Sequence, residues 1–204
     1  MTLNRRLLLA ATLASSFVAG SAFAQAPAGP QILRGVVTAV EANAMTIKGK
    51  DKKLTTINMA PGWTVSVMKP VTMDEVKPGS FIGTAEMPQE DGSGKSLEVH
   101  VFPPGVKMGE GHYPWDLKKG SMMTNGTVGK VVPGKKGQEL EVSYNGQPSR
   151  KIVVPKKVPI VMITPADKAM VKKGTNVFLV AFPTPKGLVA NAVSTGVGGK
   201  APAM

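Results

Sequence analysis

Both histidines of the chain, His100 and His112, fall within residues 100–116, H-V-F-P-P-G-V-K-M-G-E-G-H-Y-P-W-D, together with one of its two tryptophans and one of its two tyrosines. Met108 and Glu110 stand between the histidines, and Tyr113, Trp115 and Asp116 follow them. Imidazole with thioether suits Cu(I), and imidazole with carboxylate suits Zn, Cu(II) or Ni. The expected metal ligands are His100, Met108, Glu110 and His112, with Met122 and Met123 as further thioethers. Tyr113, Trp115 and Asp116 are the expected binding residues beside them. Twelve methionines and no cysteine suit an exported copper protein, since free thiols oxidise outside the cytoplasm. The ion expected is copper or another transition metal. The same residues also have a purely structural reading. His112 can lock a loop through a carbonyl, methionines fill irregular cores, and Trp115 can plug a joint between two domains.

Catalysis finds little support. There is no H-E-x-x-H, no phosphate loop and no serine in a triad motif. Asp74, Glu75, Glu90 and Asp91 fall in turns. The expectation is a protein that is not an enzyme.

The elements that must position residues 100–116 are short strands. Residues 33–40, 45–48, 54–59, 63–68, 81–85 and 97–102 alternate or are rich in β-branched types, with Gly, Pro and Asn between them, the pattern of strands and turns. Thr72 with Glu75 three residues on suggests one capped helical turn. In 97–102, Leu97, Val99 and Val101 share one face and Glu98, His100 and Phe102 the other. The aliphatic face should point into a barrel and His100 outward. The stretch 103–125 lacks clear periodicity. Its aromatics predict that it packs on the first barrel or in a cleft, bringing His112 towards His100.

The second half repeats the first. Residues 126–131 match 35–40 at an offset of 91, 171–177 match 76–82 at 95, and 187–193 match 96–102 at 91. Units of this size and pattern suit small closed barrels, which leave no exposed sheet edge. The expected fold is all-β: two tandem small OB-like β-barrels from an internal duplication, preceded by a cleaved signal peptide. The expected divisions are a signal peptide at 1–24, a linker at 25–31, a first barrel at 32–102, a connecting loop at 103–123, a second barrel at 124–195 and a disordered tail at 196–204.

The G-x-V-x-x-V openings at 35–40 and 126–131 and the V-K-x-G-x-x-V/I turns at 76–82 and 171–177 resemble a tandem OB-like domain of unknown function found in exported bacterial proteins. E-V-H-V-F-P at 98–103, G-E-G-H-x-P-W-D at 109–116 and M-T-N-G-T-V at 123–128 are similar to a group of uncharacterised proteobacterial periplasmic proteins. The resemblance implies a fold and names no chemistry.

Residues 1–24 carry Arg5 and Arg6, an apolar run and an A-x-A site at 22–24, the pattern of a secretory signal. The expected location is periplasmic or secreted, with no transmembrane segment in the mature chain. Cleavage there leaves 23 Lys+Arg against 13 Asp+Glu, a charge of +10. A basic exported protein meets envelope proteins or anionic glycans. Nucleic acid is not an expected partner, given the compartment and the few aromatics.

Overall fold

The computed structural model describes residues 29–201. The expected signal peptide, 1–24, lies outside them, as do residues 25–28 and 202–204. The alternating stretches form β1 (Gln31–Val40), β2 (Ala44–Lys48), β3 (Leu54–Pro70), β4 (Phe81–Pro88), β5 (Gly94–Val101) and β6 (Gly111–Pro114). The second half forms β7 (Met122–Gly134), β8 (Gly137–Ser143), β9 (Arg150–Pro155), β10 (Ile160–Ala166), β11 (Asn176–Thr184) and β12 (Gly187–Gly196). Among the described residues the helical elements are 3-10 turns at Met73–Glu75, Lys168–Met170 and Val197–Gly199. The protein is all-β. No helix among these residues is long and apolar enough to cross a membrane.

Pairing closes two five-stranded circuits. In the first, β1 pairs β2, β2 pairs β3, β12 pairs β11 and β11 returns to β1, all antiparallel, while β3 and β12 run parallel. In the second, β7, β8 and β9 meander, β4 pairs both β5 and β7, and β5 and β9 run parallel. Both have the strand order of an OB barrel.

The repeats do not close on themselves. The first circuit takes β1–β3 from the first half and β11–β12 from the second. The second circuit takes β7–β9 from the second half and the β4–β5 hairpin from the first. The expected barrels at 32–102 and 124–195 have thus exchanged their closing hairpins. β3 runs unbroken for 17 residues, about 55 Å at ~3.3 Å per residue, while its counterpart in the second half is divided into β9 and β10. The far end of β3 pairs antiparallel with β10, Val65 opposite Ala166 and Pro70 opposite Val161. β10 in turn runs parallel to β5. This seam joins the circuits about a pseudo-twofold axis.

Each barrel has its own core, and each core mixes the two halves. Met45, Ile47 and Ile57 meet Val177, Leu179 and Val193 in the first. Ile82, Val99 and Val101 meet Leu140, Val142 and Ile152 in the second. Each such side chain contributes about 1.5–3 kcal/mol by leaving water.

Glycine at the start of each repeat has a steric cause. A Cβ on Gly35 would lie 2.6 Å from the Lys48 carbonyl oxygen, and one on Gly126 would run into the Ser143 carbonyl oxygen. Both carbonyls belong to the neighbouring strand and cannot step aside. Gly126→Ala is expected to destabilise the protein by about 2–3 kcal/mol, with Gly35→Ala close behind, as measured by urea unfolding.

Several local expectations are corrected. Thr72 makes no capping bond and instead donates to Asp74; Asp167, in the second repeat, does cap its turn through the Ala169 amide. Residues 196–201 are not a loose tail: Asn176 Nδ2 donates to the Gly199 carbonyl at 3.1 Å and holds the last turn to β11. The closing strands match at 94 rather than 91. Asn58 and Val153 hold the same place in their circuits, and they pair with Val189 and Lys95. The counterpart of His100 is therefore Ser194. An odd slip would turn every side chain to the other face of an unbroken strand, but a bulge interrupts each of these strands, at Leu97 in β5 and between Ala190 and Ala192 in β12, and resets the alternation.

Candidate functional site

The stretch 103–121 is ordered by a strand and by one side chain. β6 adds to β7, Gly111 opposite Asn125 and Pro114 opposite Met122. Asn125 Nδ2 donates to the Gly109 carbonyl and to the Tyr113 hydroxyl, both at 2.9 Å. The Asn125 side chain occupies the space where Gly83 has no Cβ. Burial holds the Tyr113 hydroxyl above its ordinary pKa. Beyond β6 the connector reaches the first barrel. Trp115 packs against Phe178 of β11 at 6.2 Å between ring centroids. Asp116 takes both terminal nitrogens of Arg34 of β1, at 2.7 and 2.8 Å.

The histidines do not converge. His100 lies opposite Gly83, Gly83 opposite Asn125, and Asn125 opposite Gly111. That places His112 three strands away, roughly 14 Å along the sheet. As the next residue after Gly111, His112 also points to the other face. Met108 is exposed. Glu110 Oε1 accepts from the Asn145 amide at 3.0 Å. Among the described residues no three His, Cys, Asp or Glu side chains gather as a metal site. The ligand set His100, Met108, Glu110 and His112 is therefore not brought together, because the pleat sends the two imidazoles to opposite sides of the sheet.

His100 does leave the barrel interior, as its alternation predicts, but it does not reach solvent: it is 1% exposed. Val99 and Val101 fill the core, while Leu97 is the extra residue of a bulge, since Glu98 faces Ala85 and Ser96 faces the adjacent Glu86. Glu98 is buried beside His100, with Oε1 at 3.5 Å from His100 Nε2 and without a hydrogen-bond partner. Burial pushes the Glu98 carboxyl up to about 8, against the pull of Arg34 and with the push of Asp116. The Arg34 guanidinium, paired with Asp116, stacks 5.3 Å over Phe178.

His112 belongs to a second polar cluster, at one end of the second barrel. Its Nδ1 is 2.8 Å from the Thr124 hydroxyl and 3.6 Å from Glu86 Oε1. Its ring stacks on Tyr144 at 6.1 Å. Burial and then the Arg150 charge lower its pKa, so at neutral pH it is an uncharged neighbour of Glu86. The counter-ion of Glu86 is Arg150, whose Nε donates at 2.7 Å. Glu86 is fully buried, and Oε2 has no hydrogen-bond partner. Burial raises its pKa in spite of the arginine. Arg150 also donates to the Gly92 carbonyl at 3.0 Å, which fastens the β4–β5 turn to the barrel.

That turn forms one wall of an open trough of about 940 Å³. The β7–β8 turn forms the other wall and β9 the floor. Lys95, Lys135, Lys136 and Lys151 line it with Pro133 and Pro155. Of the acids along it, Glu139 is held by Lys151 at 2.9 Å and Asp91 is turned onto the Ser93 hydroxyl and amide. Ser93 holds the Asp91 carboxyl below its usual range, and Glu139 raises Lys151. Glu90 is the third acid. No aromatic side chain lines the trough. Reasoning from sequence misses this site, because its lysines are scattered along the chain. The available signal is the Lys135-Lys136 pair in the turn of a hairpin.

Fold and sites together define an all-β protein of two OB-like barrels with exchanged hairpins, a buried polar joint between them and a lysine-lined trough on the second. Protein-family models, curated proteins and solved structures offer no match to the chain.

Proposed function

We propose that the chain is a non-catalytic, exported binding protein of the tandem OB-like kind, and that the trough of its second barrel holds a segment of anionic glycan. The supporting observation is the set of Lys95, Lys135, Lys136 and Lys151 around an open trough. It lies between the turns that join strands one to two and four to five of the barrel, where OB folds take oligosaccharides and oligonucleotides. That placement is a likeness of fold, and the lysines are what tie it to this chain. Base stacking on aromatics carries single-stranded nucleic-acid binding, and the trough offers none. Protein hot spots are rich in Trp, Tyr and Arg, whereas these walls are lysine and proline. An extended chain bearing carboxylates or sulfates needs only point charges along an open path. The net positive charge of the chain works in the same direction, drawing polyanions in from a distance.

The test uses an immobilised polyuronate at low salt. Reversing two charges, with Lys135→Glu and Lys136→Glu together, is expected to weaken binding at least tenfold, ~1.4 kcal/mol. The parent should elute with rising salt, because exposed charges are screened beyond roughly 10 Å at 0.1 M. Lys118→Glu with Lys119→Glu, outside the trough, is the control. Equal elution of parent and trough variant would remove the trough from the function.

A further inference from the structure

We propose that the glycan path continues past the trough into a second hollow at the start of β9, where one sugar ring of the chain packs against Tyr144. The inference rests on the reading of the trough as a seat for anionic glycan. It adds a contact made to the sugar itself, which lysines alone do not distinguish from any other polyanion.

Trough and hollow are neighbours along β9. Ile152 and Val154 face the core, so Lys151, Val153 and Pro155 face outward and form the trough floor. The hollow, of about 340 Å³, opens at the beginning of the same strand, between the β4–β5 turn and the β8–β9 turn. Asp91, Ser93 and Lys151 line both. A chain laid along β9 therefore leaves the trough beside Lys151 and enters the hollow there.

The two places offer different chemistry. The trough supplies point charges on lysines. In the hollow the charged groups are already engaged. Arg150 donates to Glu86 and to the Gly92 and Ser93 carbonyls, and Asp91 accepts from the Ser93 hydroxyl and amide. Tyr144, Pro148 and Ser149 complete the lining. The Tyr144 ring is half-buried and stacks on His112, 6.1 Å between centroids and 23° between planes. His112 is itself tied to the Thr124 hydroxyl at 2.8 Å. The ring is thus fixed before a ligand arrives, and little ordering cost falls on binding. The face of an aromatic ring is electronegative, and the C–H groups of a pyranose ring are its complement. Inorganic polyphosphate has no such groups. A nucleic-acid strand stacks base after base on successive aromatics, whereas Tyr144 is the one aromatic among the residues lining trough and hollow.

Calorimetry with a galacturonate oligomer and an inorganic polyphosphate of equal charge tests this. Tyr144→Ala is expected to weaken the galacturonate oligomer about tenfold and to leave polyphosphate binding unchanged. Tyr144→Phe keeps the ring and should bind both as the parent does. Lys135→Glu with Lys136→Glu should weaken both ligands. A Tyr144→Ala variant that loses neither ligand, or both alike, would overturn the sugar contact and leave the trough standing. An oligothymidylate that loses more than the galacturonate oligomer would give the ring to bases and overturn it too. Undiminished binding of both ligands by the double lysine variant is a different result, and removes the trough and the inference with it.

Discussion

A chain cut once between its halves is expected to stay in one piece. The exposed residues Lys118 and Lys119 lie in the connector, and a specific protease site inserted after Lys119 would separate β1–β6 from β7–β12. Neither fragment then owns a closed barrel. The pairings β1 with β11, β3 with β12, β3 with β10, β4 with β7, β5 with β9, β5 with β10 and β6 with β7 all run from one fragment to the other. Both cores are shared in the same way. The nicked protein should elute from a sizing column at the position of the intact one, and should separate only where the intact chain unfolds. Two repeats that each closed on themselves would instead part on cutting. For the same reason the intact chain should unfold in a single transition despite its two cores. Fragments that elute apart in native buffer would refute the exchanged topology.

The second large effect is expected at Arg150. Truncation to Ala removes the counter-ion of Glu86, which is fully buried. Breaking such a pair from one side costs about 3–5 kcal/mol. The carboxylate has no easy substitute: one oxygen already lacks a hydrogen-bond partner, and the side chain is packed so tightly on Gly94 that a Cβ there would overlap it. The pH dependence has a definite sign. Burial raises the folded-state pKa of Glu86, and loss of Arg150 raises it further. The protonated form is therefore the one the variant tolerates. Its deficit should be largest at high pH and should shrink as the pH falls and the carboxyl takes up a proton. Urea midpoints at pH 5 and pH 8 measure this. Glu86→Gln combined with Arg150→Met should recover much of the loss, because neither an unpaired charge nor a void remains. An Arg150→Ala variant with the same midpoint at both pH values would show that Glu86 is not the group left without a partner.

Arg150 also bears on the trough. Its bond to the Gly92 carbonyl holds the β4–β5 turn, so the substitution should loosen a trough wall as well as the barrel. The two consequences are separable, since the double variant restores the charge balance without restoring that bond.

Much of this protein could be read from its residues. Alternation in 33–40 and 81–85 identified strands, and the pairs Gly35 with Gly126 and Val76 with Val171 exposed the duplication. The all-β class and the barrel type follow from those local signals, because side-chain period and turn chemistry are properties of a few neighbouring residues. The ordering of the connector was likewise visible in Tyr113 and Trp115, aromatics that a loose loop has no use for. The candidate ligands His100, Met108, Glu110 and His112 are neighbours in the chain and do not form a group in space. His100 and His112 are twelve residues apart in the chain, yet three strands and one pleat keep them apart in space.

Partner choice was left to the tertiary structure. A strand's alternation says which face is apolar and nothing about whose edge it will meet. Two repeats of similar pattern make their hairpins interchangeable, and only the pairings of the folded chain say which barrel each hairpin closes. The same long-range pairing sets Asp116 on Arg34 and gathers Lys95, Lys135, Lys136 and Lys151 around one trough. Burial and charge at those sites depend on residues far apart along the chain, and only folding brings them within reach of one another.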